Sequence, residues 1–96
     1  MVKVVANMLI KADEVGDFLV FAKEIVEKTN ALDAGCVKYE LCQDKKDPLH
    51  FAMLEEWENM ESLDKHMKAP HFVEIIPKMN ALHSKPSEVT LFEDAF

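Results

Sequence analysis

Four side chains in this 96-residue chain could do chemistry. They are an asparagine inside an apolar run, the single tryptophan, and two histidines that follow it. His66 borders the apolar face of a short helix, three residues after Leu63. An imidazole there starts near a pKa of about 6.5, where a small shift makes it a base. An ordinary hydrogen-bonded histidine at the core edge fits the same position. His71 follows Pro70 at a helix start, where the positive dipole end disfavours imidazolium; a surface cap is the alternative. Asn7 sits among β-branched residues and must find partners for its amide or cost ~1–3 kcal/mol. Those partners are either neighbouring backbone or a substrate oxygen in a pocket. Trp57 ends a strand, where it is either packing with its N–H satisfied at the rim or a flat wall for a ring-shaped ligand.

Other chemistries lack their residues. His66 and His71 are five apart with a proline between, unlike the i, i+4 pair of a helical zinc motif, and no Cys-x-x-Cys occurs. His50 and His83 have no spacing relation to either. Two glycines, at 16 and 35, cannot build a phosphate loop. Cys36 and Cys42 lie on one predicted strand, about 20 Å apart, too far for a disulfide. They read as reduced thiols of a cytoplasmic protein. The net charge is -7 and all 11 basic residues are lysine. Acidity without an arginine fork argues against nucleic acid. The chain is expected to start directly on a strand after Met1-Val2-Lys3, with no secretory leader and no membrane span.

The elements that must position these residues follow from periodicity. Residues 2–10 read as a central strand, with Asn7 sharing a face with Val5 and Leu9. Asp13 is a candidate N-cap for a helix carrying Val15, Phe18, Leu19, Ala22, Ile25 and Val26, ending near Asn30. Gly35 opens a strand over Cys36–Cys42, whose alternation sets Val37, Tyr39 and Leu41 on one face. The turn at Asp44–Pro48 leads to a third strand, Leu49 to Trp57, with Phe51 and Met53 on the tryptophan's face. Glu55 and Glu56 read as solvated or interfacial. Asn59 caps a short helix, Met60–Lys68. Pro70 starts another, which Pro77 should kink or restart. Ser87 to Phe92 is the last strand.

The order βαββα(α)β in a single domain, 1–96, predicts an α+β, ferredoxin-like fold with a four-stranded antiparallel sheet. Helices cover one face only. Val4, Ala6 and Met8, with Ala52 and Leu54, are expected on the other. An apolar open face predicts a homodimer, sheet against sheet.

The run Glu-Glu-Trp-x-x-x-Glu-x-Leu-x-x-His-x-x-x-x-His-Phe at 55–72 resembles the antibiotic biosynthesis monooxygenase family. Gly35-Cys-x-x-Tyr-Glu-Leu41 and Asn7 fit as well. The resemblance implies a dimeric α+β barrel with a pocket between helices and sheet in each subunit. It also implies an oxidation of a small electron-rich aromatic, quinol- or anthrone-like, by molecular oxygen without metal, flavin or other cofactor. On this reading His66 or His71 is the base and Asn7 holds the ring oxygen. Trp57, Phe51, Met53 and Phe72 form the dry wall. Relatives also include haem degraders and an isomerase of a phosphorylated sugar signal, for which Lys3, Lys38 or Lys78 would be needed. A small-ligand binding protein without catalysis is the further alternative. Neither nucleic acid nor membrane is expected as a partner.

Overall fold

The computed structural model describes all 96 residues, Met1–Phe96. The strands are β1 (Val2–Leu9), β2 (Cys36–Gln43), β3 (His50–Trp57) and β4 (Glu88–Glu93). The helices are α1 (Val15–Leu32), α2 (Met60–Lys68) and α3 (Pro70–Asn80). The sheet runs β2-β3-β1-β4 with every pair antiparallel. This is the ferredoxin-like arrangement, with the helices on one face.

α1 enters through a 3-10 turn, Ala12–Glu14, so Asp13 lies inside that turn and does not cap; Glu14 takes the N-cap position without a side-chain bond. The helix buries Phe18, Ala22, Ile25 and Thr29, a stripe at helical spacing. It continues past Asn30 to Leu32. Asn59 caps α2 as expected, its side chain accepting from the Ser62 amide at 2.9 Å. Pro77 sits inside α3 without ending it. It removes a single amide donor, and buried Ile75 and Met79 hold the flanking turns.

The side-chain parity of β1 differs from the expectation. Val4 pairs with Glu55, Ala6 with Met53 and Met8 with Phe51. Directly paired residues share a face. Val4, Ala6 and Met8 therefore point at the helices, together with Phe51, Met53, Glu55 and Trp57. Val5 pairs with Leu54 and Asn7 with Ala52. The open face thus carries Val5, Asn7, Leu9, Ala52 and Leu54, mixed with Lys3, Lys38, Glu40 and Glu56. β1 is apolar on both faces, so alternation alone could not say which set looked inward. The register also shifts between Cys36 and Lys38, which leaves Val37 exposed instead of on the face of Tyr39 and Leu41.

The core lies between sheet and helices, centred on Phe18, Ile25, Phe51, Trp57, Ile75 and Met79. Burying each such side chain contributes roughly 1.5–3 kcal/mol. No helix is long and apolar enough to cross a membrane. Cys36 and Cys42 are free thiols.

Candidate active site

Three helix ends meet over the C-terminal end of β3. Asp33 is the C-cap of α1, its amide donating to Thr29 O at 3.1 Å. Gly35, two residues on, has a φ of 82°. A side chain there would be strained, and its Cβ would collide with the Ser62 side chain. Glu58 N–H donates to Gly35 O at 2.9 Å. These contacts fix the α1–β2 loop against the start of α2 and bring Asp33 under His66, in the second half of α2, and His71, in the first turn of α3.

His66 Nδ1 lies 2.5 Å from Asp33 Oδ2, and His71 Nε2 lies 3.0 Å from Asp33 Oδ1. A carboxylate only accepts, so both ring nitrogens donate and both tautomers are fixed. His66 is left with a bare Nε2. That atom is buried and has no hydrogen-bond partner. The ring is packed by Trp57 at 4.6 Å, Phe72 at 5.0 Å and Tyr39 at 5.1 Å between centroids. Burial lowers the His66 pKa more than the Asp33 bond raises it, and His71 lowers it further, so the ring is held neutral.

His66 lines a cavity of about 210 Å3 between sheet and helices, with hydrophobic residues as 12 of its 17 lining positions. Met53 and Phe72 line it too. Phe51 and Trp57 share Met53's face but are fully packed beneath it, at 2% and 0% exposure. The lining includes Glu55, which is buried rather than solvated as the sequence suggested. It accepts a hydrogen bond from the Trp57 indole N–H at 2.9 Å. Burial pushes its carboxyl up to about 7, against a partial pull downward from the indole. Burial likewise holds the Tyr39 phenol above its usual range.

Asn7 is not in this cavity. It lies on the open face, where its Oδ1 meets His50 Nε2 at 2.9 Å, and His50 Nδ1 meets Asp44 Oδ2 at 2.9 Å. The expectation that Asn7 and His66 share one hollow therefore fails on strand parity. His66, His71, Trp57, Met53 and Phe72 are brought together as expected. Asp33, Glu55 and His83 are the site residues that sequence reasoning missed. Parity with Trp57 could have found Glu55, but no local pattern marks Asp33.

Asp33, His66 and His71 each present a ligand atom within 4.8 Å of the others, a spacing a divalent cation could bridge. Sequence spacing argued against a metal because it could not see Asp33. The imidazole nitrogens that meet Asp33 donate their protons to it here, so in this arrangement neither has a lone pair free for an ion.

The chain is thus a small ferredoxin-like α+β protein with an apolar cavity and a carboxylate-held histidine on the helix side. The antibiotic biosynthesis monooxygenase family model matches residues 1–78, and the chain belongs to that family. It is similar over 99% of both chains to a crystal structure of an antibiotic biosynthesis monooxygenase, at 36% identity and a TM-score of 0.94. A conserved protein from Methanosarcina mazei Go1 is 33% identical, over 95% of this chain and 89% of that one, with a TM-score of 0.92. Rv0793 from Mycobacterium tuberculosis, at 20% identity over 99% of this chain and 95% of that one, shares the fold with a TM-score of 0.92. No curated protein matches the chain.

Proposed function

We propose that this protein is a cofactor-independent monooxygenase that oxidises a small electron-rich aromatic, anthrone- or quinol-like, with molecular oxygen. The observation that carries the reading is His66, a residue lining an apolar cavity: a neutral imidazole whose Nδ1 proton is held by Asp33 and whose bare Nε2 is buried without a partner. That is the arrangement of a general base waiting for an acidic O–H or C–H, a role typically worth ~100–10,000-fold.

In the proposed reaction Nε2 takes a proton from the enol or phenol form of the substrate. The imidazolium that results is stabilised by Asp33, as the buried carboxylate does in a catalytic triad. The substrate anion, poorly solvated among apolar walls, passes one electron to oxygen. The radical pair closes a carbon–oxygen bond, giving a hydroperoxide at the former methylene carbon. The hydroperoxide carries the proton first held on His66; Nε2 then takes the remaining C–H proton as the O–O bond breaks, and the hydroxide released takes that proton from His66 and leaves as water. The balance is CH2 plus O2 to C=O plus H2O, with no external reductant. Glu55, near the middle of its titration at neutral pH, is a second group able to hold a proton beside the ring. His71 acts through Asp33, not on the substrate.

The phosphorylated-sugar reading needs a cation in the cavity, and no lysine lines it. Lys3 and Lys38 lie on the open face, and Lys78 sits over the Phe21 ring at 5.9 Å. For the open face we retain the homodimer proposal, now resting on half-buried Val5, Leu9, Ala52 and Leu54.

The test is oxygen consumption against a panel of anthrones and quinols, on chelator-treated protein with and without His66→Gln. Uptake that disappears in the variant supports the reading. No uptake by the wild type with any compound that binds leaves a binding protein and refutes the enzyme.

A further inference from the structure

The cavity is closed at one end and open at the other, and the sheet register sets the distance between the ends. Tyr39 pairs with Glu55, Glu55 with Val4, and Val4 with Leu91, so one row of side chains crosses all four strands on the helix side. All four residues line the cavity. Tyr39 and Val4 are each 4% exposed and Glu55 8%, but Leu91 is 49% exposed. The next row repeats the gradient. Met53 pairs with Ala6 and Ala6 with Val89, and exposure runs from 2% at Met53 to 56% at Val89.

The closed end carries Glu55 and Tyr39, with the His66 ring 5.1 Å from the Tyr39 ring. The open end is apolar. β4 is an edge strand with every residue exposed, and across from it Met67 of α2 lines the cavity at 44% exposure. Asn80, His83 and Ser87 bring polarity only to the corner before β4 begins. Strands lie about 4.8 Å apart, so two spacings set Glu55 about 10 Å from Leu91. A ring whose hydroxyl meets the polar end covers Val4 and Ala6 of β1. A group on its far side passes between Leu91 and Met67 and leaves the cavity. The proposed homodimer interface, with Val5 and Leu54, is the opposite face of the sheet, so it leaves this rim uncovered.

We propose that the rim of Leu91, Val89 and Met67 is a subsite for an uncharged alkyl chain, and that the ligand is an alkylated phenol or enol rather than a bare ring. Apolar side chains that keep about half their surface in water, continuous with a buried apolar floor, gain from a ligand that covers both. Such a chain needs no directional contact, so the gain scales with the carbons covered. Complete burial of one methylene corresponds to roughly fourfold in affinity. A trough open on one side gives about twofold per carbon. The inference rests on the proposed function only in taking this cavity as the substrate site.

The test is titration with 4-methylphenol, 4-butylphenol and 4-hexylphenol, followed by the fluorescence of Trp57. From methyl to hexyl, the added carbons should tighten binding to the wild type about 30-fold. Leu91→Asp sets a charge in the path of the chain and should cut that gain to about threefold or less. Met67→Asp should do the same from the helix side, and covers the case in which the strand variant does not fold. Equal affinities across the series in the wild type overturn the proposal. So does the full gain retained in a folded Leu91→Asp or Met67→Asp. If a variant keeps the gain but loses mass in light scattering, the rim belongs to a second copy of the chain and the proposal is likewise overturned. Oxygen uptake separates the two claims. A chain-length gain without uptake of any alkylated quinol or anthrone sinks the monooxygenase and leaves the subsite. Uptake with bare rings and no chain-length gain does the reverse.

Discussion

Glu55→Gln isolates the buried carboxyl without disturbing its packing. Glutamine keeps the oxygen that accepts from the Trp57 indole and removes only the ionisation. In the folded chain Glu55 is 8% exposed and titrates at about 7, against an ordinary value of 4.5. Between these two values the unfolded chain has released this proton and the folded chain still holds it. Stability contributed by the group is therefore fully present below pH 4.5 and is lost as pH rises to about 7. At 1.36 kcal/mol per unit, the loss is on the order of 3 kcal/mol. Urea unfolding of wild type and variant at fixed protein concentration, from pH 4.5 to 8, reads it directly. With a urea slope of about 1–3 kcal/mol per molar for a small protein, the midpoint difference should move by about 1–3 M across that range, in the variant's favour at high pH. Other titrating groups are common to both proteins and cancel. Parallel pH profiles would refute the claim that this carboxyl is buried and proton-bound near neutrality.

Further outcomes follow from the same geometry. Asp33→Asn should lower kcat about 100–10,000-fold with little change in KM, because His66 loses the charge that fixes its tautomer; steady-state oxygen uptake checks it. Asn7→Ala should leave kcat within about twofold of wild type, since Asn7 meets His50 on the open face; a collapse of turnover would mean that the two faces communicate. Gly35→Ala should lose about 1–3 kcal/mol from the backbone alone, with more from the clash with Ser62, and so melt at least about 5 °C lower; an unchanged melting curve would contradict the positive φ.

Much of this site was readable before folding because its residues are close in sequence. The stretch from Glu55 to Phe72 holds the end of β3, all of α2 and the first turn of α3, and the family resemblance carried by that run placed Trp57, His66, His71 and Phe72 together. Asp33 was invisible because it reaches His66 across 33 residues through a loop whose shape depends on Gly35 and Ser62. Nothing in Ala-Leu-Asp-Ala-Gly distinguishes that aspartate from a solvated helix end. Asn7 was misplaced for a reason of strand pairing. β1 is apolar on both faces, so its inward set depends on pairing with β3, and a shift of one residue exchanges the faces. Glu55 was taken for a surface charge although Phe51, Met53 and Trp57 already fixed its side of the strand.

The histidine protonation states carry the whole account, and long-range 1H–15N correlation spectra of the imidazoles at pH 7 measure them. His66 should appear as the neutral Nδ1–H tautomer, with Nε2 at the shift of an unprotonated nitrogen, moving when 2-naphthol is added. A proton on His66 Nε2, or a doubly protonated ring at pH 7, would contradict the reading of His66 as a base held by Asp33.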